Sequence, residues 1–352
     1  MRDQLAIARR IILAYGWNST CYQLLNPGIE RWISSDELGL VGFVESHGMA
    51  VVAGAPVCRA EELSHIISEW EEYAQSRKLS VCYFGAEARL QASIMHSMKH
   101  STVILGYQPE WKPVSFISKV ESSKLLRAQL NRSLNKGVSV SEWPAALAEN
   151  NPSLQAVLAE WLMDRGLPPL HFLVEPETLS DLADRRIFVA QLDERIVGFV
   201  TLCPVPARNG WLTEQFVRSN RAPNGTVELM LYTAIKAIAM DQAEYVTMGI
   251  VPLVDRNSAI KTLEPLWLVG IRRWSIAHLA RFYNFAGLAN FKSKFLPDEW
   301  QPVVVIVQGP NFSIRHLRAI TQAFTITSPE LALAKGVFKA FHAEVSRLFS
   351  TV

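Results

Sequence analysis

Residues 187–205 read IFVAQLDERIVGFVTLCPV, in which two apolar runs flank a short polar turn at Asp193-Glu194. Apolar, β-branched runs of this length joined by a tight turn predict a β-hairpin. Residues 38–57, LGLVGFVESHGMAVVAGAPV, have the same plan, with a turn at Ser46-His47-Gly48. Both segments also end in the dipeptide Pro-Val. We therefore interpret the chain as two similar halves, each built on one hairpin.

The second half shows the clearer order of elements. Apolar periodicity and start signals predict helices over 154–165 and 226–242 and strands over 138–143, 211–217, 245–250 and 302–307. Strand, helix, hairpin, strand, helix, strand and terminal strand is the order of the N-acetyltransferase-like (GNAT) fold. In the first half, the hairpin is followed by a predicted helix over 60–77 and strands over 79–84, 102–105 and 114–117. The predicted fold class is α/β, with a mixed α+β sheet arranged as tandem GNAT-like domains.

The predicted domain boundary follows from this duplication. Residues 1–137 form the N-terminal GNAT-like domain, including a linker helix over 122–136. Residues 138–352 form the C-terminal catalytic domain, with a helical tail over 310–352. The apolar face of the tail predicts a packing helix, and a membrane-surface helix is the alternative.

Composition excludes several classes of protein. The chain has 352 residues, 49% of them hydrophobic, and a net charge of only +2. A substantial core can therefore form, and contact with RNA must come from local basic patches. The four cysteines form no C-x-x-C pair, which argues against a zinc site and a disulfide framework. No apolar run is long enough to span a membrane, so we expect a cytoplasmic protein without an integral membrane segment.

An aromatic and basic block stands near the end of the second half, where residues 281–300 read RFYNFAGLANFKSKFLPDEW. As a helix from about Asn284, it places the apolar side chains on one face and Lys292 near the edge of that face, whereas Lys294 points further away. A lysine beside an apolar stripe is typical of a side chain whose stem packs while its head reaches water. Contact with a substrate is the functional alternative.

This block is similar to the FYNFxGLxxFKxKFxPxW block of bacterial aminoacyl-phosphatidylglycerol synthases, the phosphatidylglycerol lysyltransferase family. Two other blocks resemble the same family in the same order. They are WLTEQFVR at 211–218 with APNGT at 222–226, and YVTMGIVPL at 245–253. The resemblance covers about residues 186–307 and implies a soluble form without the membrane-spanning flippase half. One departure concerns the first block, in which the family often has Asp followed three residues later by Arg; here Glu214 is followed by Val217, and Arg218 comes one position later.

The resemblance implies transfer of an amino acid from aminoacyl-tRNA to a phospholipid headgroup or to another hydroxyl or amine acceptor. The donor ester is already activated, so no cofactor and no metal are expected. The implied protein contacts the inner membrane face peripherally. One alternative is an acyl-CoA-dependent N-acyltransferase, which is disfavoured because Pro223 interrupts the loop where backbone N–H groups would hold a pyrophosphate. The other alternative is a non-catalytic module that binds lipid or tRNA.

The candidate site residues follow from these blocks. For each carboxylate, a purely structural salt bridge or helix cap is the alternative. The catalytic candidates are Glu214, Glu228, Tyr283 and Lys292. The substrate-binding candidates are Arg218, Asn224, Gly225, Asn284 and Lys294. The linker helix is similar to the K-x-x-R-x-x-x-N-R/K-x-x-x-x-G-V helix of aminoacyl-tRNA-dependent GNAT pairs, which makes Lys124, Arg127, Arg132 and Lys136 the tRNA-binding candidates. A solvated basic face is the alternative for that helix.

Overall fold

The computed structural model describes residues 2–94, 99–164, 170–252 and 285–325. The helices in these ranges are α1 Arg2–Tyr15, α2 Leu63–Ser76, α3 Ala88–Ile94, α4 Pro113–Ser122, α5 Lys124–Leu134, α6 Ala145–Ala148, α7 Pro152–Met163, α8 Thr226–Met240, α9 Phe285–Ser293 and α10 Ile314–Thr325. The strands are β1 Glu30–Ile33, β2 Leu40–Ser46, β3 Met49–Ala53, β4 Ser80–Ala86, β5 His100–Trp111, β6 Ser139–Trp143, β7 Arg186–Leu192, β8 Arg195–Val205, β9 Gly210–Arg218, β10 Tyr245–Thr247, β11 Val251–Pro252 and β12 Glu299–Gln308. No helix within these ranges is long and apolar enough to cross a bilayer.

All the described strands belong to one sheet, in the order β1-β2-β3-β4-β12-β5-β10-β9-β8-β7-β6, with β11 paired to β5. The two predicted hairpins are β2–β3 and β7–β8, both antiparallel. Each half also contains one parallel pair, β3–β4 and β9–β10, whose strands are joined through α2 and α8 respectively. A parallel pair needs such a crossover. The same plan therefore occurs twice, and the fold is a tandem GNAT-like arrangement with a mixed sheet, as the sequence predicts.

The two halves exchange strands at the centre of the sheet. The terminal strand β12 lies between β4 and β5, antiparallel to both. Strand β5 in turn pairs with β10 of the second half. The halves thus share their backbone hydrogen bonds, which makes the sheet continuous. The domain boundary predicted at 137/138 stays a prediction.

Helix α8 sits over the second half of the sheet and packs against α4 and α5. Its buried face, with Met230, Ala234 and Ile238, shares one core with Phe116 of α4 and Leu126 of α5. Burial of apolar surface contributes roughly 25 cal/mol per Å², so this shared core is a large part of what holds α5 in place. The linker helix is therefore an integral part of the second half's core.

One strand prediction was wrong and another was wrong in part. Residues 114–117 lie in α4, because Pro113 at its first helical position lacks only an N–H that helix starts leave unpaired. Phe116 and Val120, four residues apart, are both buried. The strand predicted over 245–250 ends at Thr247, and the next three carbonyls bind a side chain instead.

Candidate functional site

A groove of about 480 Å³ opens between β9, the N-terminus of α8, α5, α7 and α9. It is lined by Gln129, Arg132, Trp161, Phe216, Arg218, Asn224, Gly225, Val227, Glu228 and Phe291. We call this cavity the groove. It brings together five of the sequence-predicted candidates, namely Arg132, Arg218, Asn224, Gly225 and Glu228.

The groove exists because the parallel strands β9 and β10 pair over only part of their length. The register pairs β10 with Gly210, Trp211 and Leu212 of β9 and goes no further. Beyond that point β9 keeps β8 on one side, with Gly198 opposite Arg218. The last residues of β9 are therefore free to present Phe216 and Arg218 to the groove. This end of β9 leads directly into the loop before α8.

Gly225 fixes the closest approach of α8 to α5. Its φ of +97° is a left-handed conformation, which glycine adopts without steric cost. A Cβ at this position would lie 2.1 Å from the carbonyl oxygen of Gln129. One residue later, the Thr226 and Ser133 hydroxyl oxygens are 3.2 Å apart. This contact between backbones places Gln129 and Arg132 of α5 on the wall of the groove.

The charges of the groove are unevenly partnered. Arg132 and Arg218 are exposed, and neither has an ion-pair partner among the described residues. Glu228, in the first turn of α8, forms an ion pair with Lys294. The Lys294 ammonium also lies 4.1 Å from the centre of the Phe291 ring, which gives it a cation–π contact. Lys294 is thus held beside the groove by its neighbours, whereas the two guanidinium groups remain available to an anion.

An aromatic wall faces these charges. The Phe216 and Phe291 rings stack with centroids 5.6 Å apart. Trp161 of α7 adds a third aromatic side chain, and Val227 adds an aliphatic one. Neither Trp161 nor Phe216 was among the sequence candidates. An aromatic side chain in an amphipathic helix or strand carries no local sign of whether it faces a core or a cavity, so the pattern alone did not reveal them.

Several backbone N–H groups of the loop before α8 already have acceptors, in α7 or within the loop. The amide of Asn220 donates to a Glu160 carboxylate oxygen, that of Arg221 to the Ser219 hydroxyl and that of Ala222 to the Ser219 carbonyl. Pro223 has no N–H. The run of free N–H groups that a pyrophosphate loop requires is therefore missing here, although the first turn of α8 still points its helix N-terminus at the groove.

Glu214 lies on the opposite face of the sheet from the groove. It is the extra residue of a β-bulge, since Thr213 pairs with Leu202 and Gln215 pairs with Thr201. The Glu214 carboxylate accepts two hydrogen bonds from Arg185, at 2.7 and 3.0 Å, and one from Gln23 at 3.1 Å.

The bulge reverses which side chains face which side of the sheet. It leaves Glu214 on the side of Leu212, which belongs to the core that contains α1, and turns Phe216 and Arg218 toward the groove. Burial alone would lower the pKa of Arg185, but the adjacent Glu214 carboxylate raises it overall. Arg185 therefore stays protonated inside the protein, and the hydrogen bond from Gln23 to Glu214 connects the two halves. Arg185 was not predicted to take part, and nothing in its local sequence marks it.

Lys292 is buried, 3% exposed, and does not line the groove. Its ammonium donates to the carbonyl oxygens of Met248, Gly249 and Ile250, at 2.6, 2.8 and 3.0 Å. Burial lowers the pKa of Lys292 to about 7. The three acceptors match the three N–H bonds of an ammonium. In this position Lys292 ties α9 to the chain segment that leaves β10.

The remaining candidates fall into two groups. All four tRNA-binding candidates, Lys124, Arg127, Arg132 and Lys136, are exposed. At about 100° per residue, Arg127 lies about 140° around α5 from Arg132 and belongs to a separate exposed face. Only Arg132 of these four lines the groove. Tyr283 and Asn284 lie outside the described residues, so their predicted roles stay predictions.

A family model and several solved structures match this chain. The model of a family described as phosphatidylglycerol lysyltransferase, C-terminal, matches residues 9–307. A search of curated proteins gave no match. Among solved structures, the chain is similar to the C-terminal domain of a putative lysylphosphatidylglycerol synthetase from Agrobacterium fabrum, with a TM-score of 0.77 and 18% identity over 92% of this chain and 98% of that one.

Two further structures share the fold. L-PGS from Bacillus licheniformis has a TM-score of 0.75 and 19% identity over 90% of this chain and 95% of that one. FemX has a TM-score of 0.55 and 10% identity over 88% of this chain and 96% of that one. At these identities the structures establish similarity of fold.

Proposed function

The chain belongs to the phosphatidylglycerol lysyltransferase C-terminal family, and from that membership we propose that it transfers an aminoacyl group from aminoacyl-tRNA to the headgroup of a phospholipid resembling phosphatidylglycerol. Another hydroxyl acceptor would form an ester in the same way, and an amine acceptor would form an amide. We further propose that the protein works at the inner membrane face, where its acceptor lies, as a peripheral protein. The observation that carries the proposal is the groove, which joins the basic helix α5 to the family's loop before α8.

The proposed reaction is a transesterification. An acceptor hydroxyl oxygen attacks the ester carbonyl carbon of the aminoacyl group, and the bond from that carbon to the ribose oxygen of the tRNA breaks. The acceptor's proton ends on the ribose oxygen, so the reaction needs no other reactant. The protein has to hold donor and acceptor together and to stabilise the developing oxyanion.

The groove offers a partner for each charged part of these substrates. Arg132 and Arg218 supply two guanidinium groups to phosphates of the tRNA 3′ end and of the lipid headgroup, for which guanidinium geometry is well suited. Glu228 supplies a carboxylate to the donor's α-ammonium group. Lys294 orients that carboxylate and places a cation near the helix N-terminus, where an oxyanion would be favoured.

Glu214 and Lys292 receive positioning roles in this proposal. Glu214 stabilises the bulge that turns Phe216 and Arg218 into the groove, and Lys292 anchors α9, which carries Phe291 and Lys294. Neither side chain reaches the groove itself. Their removal is therefore expected to act on catalysis through the placement of neighbouring residues. We propose that Tyr283 contacts the tRNA 3′ end or the developing negative charge and that Asn284 binds substrate, as the family resemblance implies.

The decisive experiment measures transfer of label from a mixture of radiolabelled aminoacyl-tRNAs into vesicles that contain phosphatidylglycerol. We expect RNase-sensitive label in the lipid phase, and none with vesicles of phosphatidylcholine, whose headgroup has no free hydroxyl or amine. Arg218→Ala should reduce the transfer rate strongly. Arg10→Ala is the matched control, because it removes an exposed arginine of α1 that does not line the groove.

Two results would contradict the proposal. Label in a water-soluble product alone would move the acceptor from lipid to a small metabolite. Tight binding of coenzyme A by calorimetry, together with no transfer from tRNA, would favour the N-acyltransferase alternative.

A further inference from the structure

The end of helix α7 is fastened to the loop before α8 at the rim of the groove. The Glu160 carboxylate accepts hydrogen bonds from the Ser219 hydroxyl, at 3.2 Å, and from the Asn220 backbone N–H, at 2.9 Å. The Asn220 side chain in turn donates to the Asp164 carboxylate at 2.7 Å. We call these three hydrogen bonds the clasp. The clasp joins the last turn of α7 to the residues that directly follow Arg218.

The clasp determines where the Trp161 side chain lies. Glu160 and Asp164 are four residues apart and therefore share one face of the helix, and Trp161 follows Glu160 at about 100° around the axis. The inner face of α7, with Leu154 and Leu158, is buried in a core with strands of the second half. Trp161 is half-buried, packs against the edge of that core and lines the groove. Packing on one side and the clasp on the other thus hold the indole ring at the groove wall.

The surroundings of the Trp161 ring are both cationic and aromatic. Arg132 and Arg218 line the same groove, and Phe216 and Phe291 stack on each other in its wall. Guanidinium groups for phosphates, next to aromatic rings for bases, are the combination by which proteins bind single-stranded nucleic acid. A hydrocarbon chain, by contrast, gains nothing from two guanidinium groups beside it. The lining therefore suits a nucleotide better than an acyl chain.

The size of the groove limits which part of a tRNA can enter. Its volume of about 480 Å³ falls within the range of about 300–1,000 Å³ that is typical of small-ligand sites. That is the scale of an unpaired nucleotide with its aminoacyl ester, and a base-paired stem is much larger. The 3′ end of tRNA is single-stranded, so its bases can stack on a protein ring.

We propose that Trp161 stacks on one base of this single-stranded 3′ end and that Glu160 and Asp164, through the clasp, are positioning residues for the ring. The inference rests on the proposed function and deepens it by assigning the side chain that receives a nucleobase of the donor. It concerns binding of the donor RNA, so it can be tested without the transfer reaction.

The first measurement is the affinity of the unchanged protein for an uncharged RNA hairpin that copies the acceptor stem and the single-stranded 3′ end of tRNA. Three further hairpins each lack one of the three terminal bases but keep the sugar and the phosphate. Stacking of one base on an aromatic side chain is equivalent to a factor of about five to 150 in affinity. We expect removal of one of the three bases to weaken binding by a factor in this range.

Variants of Trp161 show whether its ring is the partner of that base. Trp161→Leu should weaken binding of the intact hairpin by the same factor and abolish the effect of removing the base, because both changes remove one contact. Trp161→Phe keeps a ring and should retain part of the affinity. Trp143→Leu is the matched control, since Trp143 is also half-buried and packs against the same core but does not line the groove. It should leave the affinity and its dependence on the base unchanged.

Variants of Glu160 test the clasp. Glu160→Ala removes the acceptor of two of the three hydrogen bonds, so the effect of base removal should shrink although Trp161 is still present. Glu160→Gln keeps an acceptor oxygen at the same place and should restore the effect. In transfer assays these losses should appear in KM for aminoacyl-tRNA, while KM for phosphatidylglycerol stays unchanged.

The outcomes separate this inference from the proposed function. Affinity that depends on none of the three bases, or additive losses for Trp161→Leu and for removal of each base, would overturn the inference and leave the proposed function standing. A raised KM for phosphatidylglycerol with unchanged RNA affinity would also overturn it and assign the ring to the lipid. Base-dependent binding without transfer to any acceptor would support the inference and contradict the proposed function. Absence of both hairpin binding and transfer would overturn both.

Discussion

Replacement of Gly225 by alanine tests the contact on which the groove depends. Two costs arise in the folded protein. The φ of +97° places a residue with a Cβ in the left-handed region, at about 1–2 kcal/mol. The added Cβ would also stand 2.1 Å from the Gln129 carbonyl oxygen and 2.9 Å from its carbon, so backbone must move. Overpacking of this kind costs about 1–3 kcal/mol.

The expected loss for Gly225→Ala is therefore about 2–5 kcal/mol in the free energy of unfolding. Gly48→Ala is the matched control, because Gly48 has a φ of +71° and no atom lies within 4 Å of the position that its Cβ would take. That variant should lose only the conformational term, about 1–2 kcal/mol. The difference between the two variants isolates the clash between α8 and α5.

The assay is urea unfolding of both variants, followed by circular dichroism, together with the transfer rate in the absence of urea. We expect Gly225→Ala to unfold at clearly lower urea than Gly48→Ala. It should also lose transfer activity while it is still folded, because α5 and α8 must separate and carry Arg132 away from Glu228. Equal unfolding midpoints for the two variants would refute the described packing of α8 on α5.

Three other predictions follow from the buried and exposed charges. The pKa of Lys292 is about 7 in the folded protein and 10.5 in its ordinary state, so between these pH values only the unfolded chain holds the proton. The free energy of unfolding, relative to that of Lys292→Met, should therefore rise with pH across this window, by at most about 1.4 kcal/mol per pH unit. Denaturation at pH 7, 8 and 9 measures this difference, and a flat difference would show that the three carbonyls keep the ammonium charged. Glu214→Gln should lower the free energy of unfolding by about 3–5 kcal/mol, since it leaves the Arg185 guanidinium buried without a counter-charge. Glu214→Leu combined with Arg185→Met should lower it less. A double-mutant cycle measured by denaturation tests this, and additive losses would contradict a coupled pair. Arg132→Ala should weaken tRNA binding and reduce the slope of log affinity against log salt concentration by about 0.7–0.9, the amount for one phosphate contact. An unchanged slope would remove Arg132 from the interface. The same measurement on Arg127→Ala shows whether the second face of α5 also contacts tRNA.

The elements of the second half could be predicted because their signals are local. The hairpin at 187–205 consists of two apolar runs around a short polar turn, and the helix that starts at Thr226 follows a turn and a left-handed glycine. The stretch at 114–117 misled the prediction, since a short apolar run fits a strand and a helix equally well. Pro113 was the signal that could have corrected it, because proline is favoured at the first position of a helix.

The candidate site was predictable only in part. The blocks that resemble the family pointed to Arg218, Glu228 and Gly225, and these do meet in the groove. Glu214 belongs to the same block yet faces the other side of the sheet. A β-bulge changes the face of every later residue in a strand, and nothing in the sequence of β9 shows where the bulge falls.

The sequence by itself determined the fold class, the duplicated hairpins and the family, because each depends on residues that are close along the chain. Tertiary structure alone decided that β12 inserts between β4 and β5, that Lys292 binds three backbone carbonyls, and that Arg132 joins Arg218 across the groove. These arrangements unite residues far apart in sequence. Their energies depend on register, burial and close backbone contact, which a chain acquires only when its elements pack together.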